Sequence, residues 1–499
     1  MRIITSDTMR SIDHKTISEG HVEGRILMER AGVGAAKEIL RYSSLLNQNF
    51  SQRFVIVCGK GNNGGDGYVI AKYLSDQGKE VAIFSVCKVE DLKGDALHHA
   101  KLIPDELDFE LVDGEVSFQT GDFIVDCLLG TGLSSDVKDP YYSIIKSINE
   151  SPCPVASLDI ASGLNGNDGK VQGIAVKADI TLTVGFPKTG LLKNEGPEYT
   201  GRLKCIDIGF PEEIAAEFPM EGEMICEHEL RKVFQRRHAS SHKYQFGNVL
   251  VVGGSKNYGG APFLASSAAA RSGAGMVSVI YPQSVHSSGP SSLIKIPMPS
   301  TEQGVFSKKA ALEIRNYLNK KDALVIGPGM VGEPEELFIL ETAMKSEIPV
   351  VADAGALSLL AANEILLKRE TLTVLTPHTG ELKKLLKGLN LESAKDLAEK
   401  FEIYVLVKGQ FSELYTPEGE CITNSTGCNA LATAGSGDVL AGIIAAFISW
   451  NQDFKEAISA AIAVHGLCGE ASPNGVYSSI ADDFIEGIPK VLKSLSPYC

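Results

Sequence analysis

Phe54-Val55-Ile56-Val57-Cys58-Gly59-Lys60-Gly61-Asn62-Asn63-Gly64-Gly65-Asp66-Gly67-Tyr68-Val69-Ile70-Ala71-Lys72-Tyr73-Leu74 reads as strand, glycine loop and helix. Phe54–Cys58 is short, apolar and rich in β-branched residues, as a buried strand requires. The glycines of 59–67 permit a tight turn before the helix that Tyr68 opens. The same alternation continues outward. Further strands are expected at Val81–Val86, Phe123–Cys127, Val155–Leu158, Ile180–Val184 and Leu203–Ile206. In front lies a helical stretch, Ser11–Leu40, with Met28, Ala31, Ala35 and Ile39 at helical spacing. Strands separated by helices imply a parallel, doubly wound α/β sheet.

The loop formally contains Gly-x-Gly-x-x-Gly at Gly59, Gly61 and Gly64, a weak signal by itself. A dinucleotide fold would also place an acid at the end of the next strand. Here Val81–Val86 runs into Cys87, with no acid before Glu90. The double Asn and Asp66 offer amide and carboxylate oxygens instead. Asp126 closes its strand and precedes Gly130-Thr131-Gly132-Leu133-Ser134-Ser135-Asp136; Asp159 follows Leu158 and precedes Ile160-Ala161-Ser162-Gly163. Three strand ends thus bring Asn63, Asp126 and the Asp159–Ser162 turn to one carboxyl edge, where open α/β sheets bind ligands. An all-oxygen donor set suits a hard cation; turn stabilisation alone would explain any one of these residues.

Pro211–Ser241 changes character, acidic and then basic, and marks a junction near residues 212–240. The second half restarts at Asn248–Gly253. Strands are expected at Met276–Tyr281, Ala323–Ile326, Val350–Ala352, Thr373–Leu375 and Ile403–Val407, with an Ala-rich helical last third. Glycine clusters follow these strands: Gly253-Gly254, Gly259-Gly260-Ala261-Pro262 before a helix Phe263–Arg271, Gly327-Pro328-Gly329, Asp353-Ala354-Gly355, Thr376-Pro377-His378-Thr379-Gly380-Glu381 and Lys408-Gly409. The most telling run is Ala432-Thr433-Ala434-Gly435-Ser436-Gly437-Asp438, leading into an apolar helix from Val439. Small residues at a helix N-terminus let a phosphate approach free backbone N–H groups. Asp438 beside that anion site is placed to deprotonate a hydroxyl that accepts a phosphoryl group. A plain N-cap would need only one such residue. His378, in a sharp turn at the site edge, reads as a substrate contact. His465, in an Ala-rich helix, reads as a packed core histidine.

A length of 499 residues fits two or three domains, and 22% charged and 44% hydrophobic residues are ordinary for a globular protein. The net charge of −15 argues against nucleic-acid partners. Ten cysteines without regular spacing or CxxC imply reduced thiols and a cytoplasmic setting; Cys58, Cys127 and Cys205 fall in apolar runs and read as core. The first residues lack a signal-peptide core, and Val439–Trp450 is too short to span a bilayer, so no membrane partner is expected.

Taken together, Met28-Glu29-Arg30-Ala31-Gly32, Asn62–Gly67, Asp159–Gly163, Gly327–Gly329, Thr376–Glu381 and Thr433–Gly442 resemble the bifunctional NAD(P)H-hydrate repair enzymes across nearly the whole chain. The resemblance implies a Rossmann-like epimerase domain at 1–215 and a ribokinase-like dehydratase domain at 225–499. It implies hydrated NADH and NADPH as substrates, ADP or ATP as co-substrate, magnesium for the dehydratase, and a homo-oligomer. Asn63, Asp126 and Ser162 would coordinate potassium. Asn62, Asn63, Gly64, Gly65, Asp66, Gly130, Thr131, Gly132, Leu133, Ser134, Ser135, Asp136 and Asp159 would hold substrate in the first site, with Asp159 catalytic. Ala261, Gly329, His378 and Asp438 would face substrate in the second, with Asp438 catalytic. Lys408, Gly409, Gln410, Phe411, Ser412, Gly435, Ser436 and Gly437 would hold nucleotide. This chain departs from the family pattern at Ala161 and Thr379 (proline is usual), Ser436 (threonine), Gly355 (aspartate) and Cys428-Asn429-Ala430 (Asn-Pro-Gly). The alternatives are a vitamin-precursor kinase fused to a cofactor-binding Rossmann-like domain, which leaves the Asn/Asp set of the first half unexplained, a dehydrogenase, which leaves Asp438 unexplained, and a non-catalytic cofactor-binding scaffold.

Overall fold

The computed structural model describes residues 1–46, 53–234 and 236–498. The chain falls into two compact units, Met1–Glu223 and Met224–Cys499. Among the described residues no helix is long and apolar enough to cross a membrane.

The strands in chain order are β1 (Arg2–Ile3), β2 (Arg53–Cys58), β3 (Glu80–Ser85), β4 (Asp108–Leu111), β5 (Asp122–Cys127), β6 (Val155–Leu158), β7 (Ile180–Val184), β8 (Arg202–Ile206), β9 (Gly222–Met224), β10 (Asn248–Val252), β11 (Met276–Pro282), β12 (Ile294–Met298), β13 (Ala323–Ile326), β14 (Val350–Ala352), β15 (Thr373–Leu375), β16 (Tyr404–Val407), β17 (Ser412–Tyr415) and β18 (Cys421–Asn424).

In the first unit a parallel sheet runs β4-β3-β2-β5-β6-β7-β8. Its central strands are buried on both faces because helices cover both, so they read as continuous apolar runs. Phe54, Ile56, Tyr68, Ile70, Phe123 and Leu182 share one core cluster. The expected helical stretch Ser11–Leu40 is in fact two helices, Ser6–Ser18 and Gly24–Leu45. The break falls at Gly20, whose φ of +73° no helix accommodates. The unit extends past residue 215: β9 pairs antiparallel with β1 through Ile3↔Gly222 and Arg2↔Glu223. Cys58 and Cys127 are core, whereas Cys205 is only part-buried.

In the second unit the order is β18-β17-β16-β15-β14-β13-β10-β11-β12, parallel except for the antiparallel pairs β16–β17 and β17–β18. Alternation along β10 separates two cores. Val249 and Val251 join one face with Phe263, Ile443, Phe447 and Phe484. Leu250 and Val252 join the other with Ile314, Leu340, Leu357 and Leu397. The Ala- and Gly-rich helices of the last third pack closely: a Cβ on Gly442 would lie 2.1 Å from the Ala265 carbonyl oxygen. The short strands β4, β12, β17 and β18 escape an apolar-run reading. β4 and β12 lie at sheet edges, with Asp108 and Glu110 of β4 exposed and Lys295 of β12 half-buried, as edge strands commonly admit.

Each sheet has a point where the strand order reverses, between β2 and β5 in the first and between β10 and β13 in the second. The crevice beyond the carboxyl ends at such a point is where open α/β sheets take ligands.

Candidate functional sites at the two strand-order reversals

In the first unit, the loops leaving β2 and β5 touch. A Cβ on Gly59 would lie 1.8 Å from the Leu128 carbonyl oxygen, and one on Gly64 would lie 1.9 Å from that of Gly59. The glycine loop is shorter than the sequence implies: the helix begins at Asn62, not Tyr68, and runs to Asp76. Gly64 and Gly65 are therefore buried in its first turns, where missing side chains let Gly59 and Met28 approach. Gly61 caps this helix without a side-chain bond, leaving N–H groups of the first turn free for an anion.

Asn63, Asp126 and Ser162 converge here. The Asn63 amide donates to the Leu129 carbonyl at 3.2 Å, while its Oδ1 is buried without any partner. Asp126 is fully buried and accepts from the Ser162 hydroxyl (2.6 Å) and N–H (2.9 Å), the Ser157 hydroxyl (2.8 Å) and the Leu128 N–H (3.2 Å). Burial pushes its carboxyl upward, and these four bonds oppose the shift. Among the described residues no cation pairs with it. An orphaned amide oxygen, an uncompensated carboxylate and the Ser162 hydroxyl fit a potassium ion chemically.

Asp159 follows β6 in the left-handed region, φ +64°, a conformation that costs a non-glycine residue energy and is typical of functional sites. Its carboxylate takes a short hydrogen bond from Lys188, which the sequence reading passed over. Lys188 is fully buried, and its other protons go to the Thr183 hydroxyl (3.1 Å) and the Val184 carbonyl (2.7 Å). The only local signal was the run Gly185-Phe186-Pro187-Lys188-Thr189-Gly190 after a strand end on the same edge. A Cβ on Gly130 would stand 3.4 Å from Asn63 and 3.6 Å from Asp159 Oδ2, so Gly130 belongs to this site. Asp66 sits there too: burial, then Asp159 and Asp13, push its carboxyl well up, against the pull of Lys188. Asn62 is exposed at the helix tip. From Thr131 the chain forms a mostly exposed loop in which Gly132, Ser134, Ser135 and Asp136 are open to solvent, and Leu133 and Thr131 half-buried. Asp136 faces away toward Gly173, 3.7 Å from a Cβ placed there.

In the second unit the loops after β10 and β13 interlock. The Gly254 N–H donates to the Pro328 carbonyl at 2.7 Å, and the Ser255 hydroxyl to the Gly329 carbonyl at 2.8 Å. A Cβ on Gly329 would lie 3.1 Å from that of Ala261, so these two predicted contacts are neighbours. The helix after Gly260 begins at Ala261, two residues before the expected Phe263.

The helix carrying Asp438 starts at Ser436 rather than Val439, because Gly435 at φ +89° turns the chain into it. Asp438 thus lies in the first turn, among the free N–H groups. Lys408, from the end of β16, reaches Asp353 at the end of β14, 2.8 Å away. A Cβ on Gly437 would meet Lys408 Nζ at 3.2 Å and Asp353 Oδ2 at 3.7 Å. Burial, then the charge of Asp353, push the Asp438 carboxyl up to about 7, against Lys408. Burial works against the charge of Lys408, but Asp353 holds it above the usual lysine range. Ser436 Oγ contacts His465 Nε2 at 3.0 Å. His465 is buried, as read, yet it touches the site, and burial lowers it to about 4, so it is neutral.

His378 caps the helix Thr379–Leu389 through a capping box with Glu381, with its ring largely exposed, and bridges to Lys408. Gly409 and Gln410 are exposed and Phe411 half-buried; Ser412 opens β17, its hydroxyl accepting from the Gly409 N–H at 3.3 Å. No three His, Cys, Asp or Glu side chains converge as a metal cradle among the described residues. Magnesium would therefore have to enter with nucleotide phosphates as its principal ligands.

Comparison with known proteins gives two family matches. Residues 249–490 match the NAD(P)H-hydrate dehydratase family and residues 24–190 the YjeF-related protein N-terminus family. The Bifunctional NAD(P)H-hydrate repair enzyme Nnr of Moorella thermoacetica is 33% identical, over 99% of this chain and 97% of its own. That of Salinibacter ruber is 33% identical over 98% and 96%. A crystal structure of the ADP/ATP-dependent NAD(P)H-hydrate dehydratase from Bacillus subtilis, co-crystallized with ATP/Mg2+, is 26% identical and covers 56% of this chain and all of its own, at a TM-score of 0.44.

Proposed function

The chain belongs to the bifunctional NAD(P)H-hydrate repair enzymes, and from that premise we propose how its own residues divide the work. The enzyme repairs hydrated NADH and NADPH, with an epimerase in the first unit and a dehydratase in the second.

In the epimerase, the nitrogen lone pair of the hydrated ring expels the adjacent hydroxyl, and water re-adds to the iminium from either face. The Asp159–Lys188 pair supplies the proton that the departing hydroxyl needs and recovers one from the incoming water. The carboxylate charge at Asp159 also offsets the developing cation. Asn62, Gly130 and the free N–H groups after Gly61 face the substrate's phosphates and ring. Asn63, Asp126 and Ser162 hold potassium, which supplies the positive charge that buried Asp126 lacks.

In the dehydratase, Asp438 takes the proton of the S-hydrate hydroxyl while that oxygen attacks the terminal phosphoryl group of ADP or ATP. The N–H groups at Gly435–Gly437 and the ammonium of Lys408 neutralise the moving charge. Loss of phosphate, with a proton from the neighbouring ring carbon, restores the reduced ring. Ala261, Gly329 and His378 line the substrate side, and Gly409–Ser412 the nucleotide side.

The observation that carries this reading is the environment of Asp438: half-buried in the first turn of a helix, its carboxyl pushed up by desolvation and Asp353, with its nearest cation already paired to Asp353. The test is to give the full chain mixed R and S hydrates of NADH. Nucleotide should be required for recovery of reduced-nicotinamide absorbance, and recovery should then be complete. Without nucleotide the epimers should only equilibrate. A chain that phosphorylates a small alcohol but never restores the reduced ring would favour the vitamin-precursor kinase.

A further inference from the structure

Glu336 is fully buried in the first turn of the helix Glu336–Met344. Among the described residues no cation pairs with it. Its Oε2 accepts three consecutive backbone N–H groups, those of Val331 (3.1 Å), Gly332 (2.8 Å) and Glu333 (3.1 Å), and its Oε1 has no partner. An apolar side chain would be buried here at less cost. What the carboxylate achieves is a fixed path for the backbone that it gathers into a nest.

That backbone is the continuation of Gly327-Pro328-Gly329-Met330, beside the strand-order reversal. Gly327, Gly329 and Gly332 all have left-handed φ, at +116°, +71° and +82°. A path with three such residues has little local preference of its own. It is pinned upstream by the Gly254 N–H and the Ser255 hydroxyl and downstream by Glu336. Midway, the Met330 carbonyl oxygen lies 2.3 Å from where a Cβ on residue 355 would stand. Glycine at 355, a departure from the family pattern, is what allows this approach.

We infer that Glu336 is a positioning residue for the dehydratase, holding the 328–333 loop as a preformed wall of the hydrate site, with Gly355 as the space into which that wall packs. The inference rests on the reading that Gly329 faces the substrate. Glu336 acts on the substrate side: its three bonds go to the 331–333 backbone.

The experiment is steady-state kinetics of the full chain with E336Q, G355A, S255A and G329A, varying S-hydrate and nucleotide separately. E336Q keeps the size but turns three charge-assisted bonds into neutral ones. The hydrate KM should rise about five- to twentyfold, with kcat and nucleotide KM within about twofold. G355A should act in the same direction, and S255A, which removes one bond from the other end, more weakly. If E336Q proves unfolded by its Trp450 fluorescence, S255A and G355A decide. An unchanged hydrate KM in E336Q, with a raised one in G329A, overturns the inference while the substrate wall stands. Unchanged KM in G329A as well overturns both. A parallel fall in kcat and nucleotide affinity would mean general disruption and would also refute it.

Discussion

Asp438→Asn should make the second unit more stable and nearly inactive, and the pH dependence of the stability gain should carry the signature of the raised carboxyl. Asp438 sits at about 7 because burial and then Asp353 disfavour its charge. Displacement from the ordinary aspartate range to that value is worth on the order of 4 kcal/mol, the cost of keeping the carboxylate ionised. The sign follows from linkage. Below about pH 4 both folded and unfolded chains carry the protonated acid, and Asp438 contributes no difference. Between there and pH 7 the unfolded chain releases its proton while the folded one retains it, so stability falls as pH rises. Above 7 the full cost applies. Asparagine does not titrate, although its amide must still be desolvated, so a gain of about 1–3 kcal/mol is expected at pH 8. That gain should shrink steadily toward pH 5.

Trp450 is the single tryptophan and ends the helix whose first turn holds Asp438. Urea unfolding followed by its fluorescence therefore reports the right unit. The same variant should lose roughly two to four orders of magnitude in dehydration rate. Its nucleotide affinity should barely change, since on the proposed reading the backbone N–H groups at Gly435–Gly437 hold the phosphate. The parent's rate should climb with pH through about 7, the value at which the base is freed. A variant no more stable than the parent at pH 8, or a gain that is flat with pH, would refute the electrostatic argument. Near-parental dehydration would reduce Asp438 to a helix cap.

Three further outcomes are expected. Lys188→Met leaves half-buried Asp159 beside an uncharged side chain, so epimerisation should fall at least about 100-fold while dehydration of pure S-hydrate by the same preparation is retained; equal epimerase rates would dismiss the pair. Asp126→Ala removes the formal charge that best offsets a cation, so its epimerase rate should no longer respond to added potassium; a potassium response matching the parent's would sink the assignment. Residues 1–223 made alone should epimerise without nucleotide, and trimming to 215 should lower the melting temperature by removing β9 from β1; identical melting of the two fragments would count against that pairing.

The legible part of this fold was its centre. β2, β5, β10 and β13 are buried on both faces, and such strands write themselves as uninterrupted apolar runs. Their loops were legible too, because close backbone approach demands glycine at Gly59, Gly64 and Gly329. Edge strands such as β4 and β12 were not, since half-exposed strands admit charge and proline. Helix starts were misplaced at 62 and 436, where small residues that look like loop continue the first turn. What no local pattern revealed were partners distant in sequence. Lys188 meets Asp159 across 29 residues and Lys408 meets Asp353 across 55. Glu336 looks like any helix-opening acid until three amides are seen to surround it.

On the roles proposed above, these distant pairings account for how one chain runs two reactions with the same residue type. Asp159 directly follows β6 and Asp438 lies in the first turn of the helix Ser436–Trp450, and both have a lysine nearby. The difference is which carboxylate that lysine serves. Lys188 spends itself on Asp159, fixing a charged pair that can pass a proton out and take one back, as a reversible exchange of water requires. Lys408 is bound to Asp353 and only partly offsets the desolvation and like charge that push the Asp438 carboxyl up to about 7. In the proposed dehydratase step, a base with that affinity is half ready to accept a proton and becomes committed when the substrate hydroxyl starts to bond to phosphorus. Swapping the arrangement, by replacing Asp353 with Asn, should free Lys408 for Asp438 and lower its pKa; the rising, acid-side limb of the dehydratase pH profile should then move to lower pH. A limb that stays near 7 in Asp353→Asn would mean that burial alone sets the base, and that the lysine's partner is irrelevant to it.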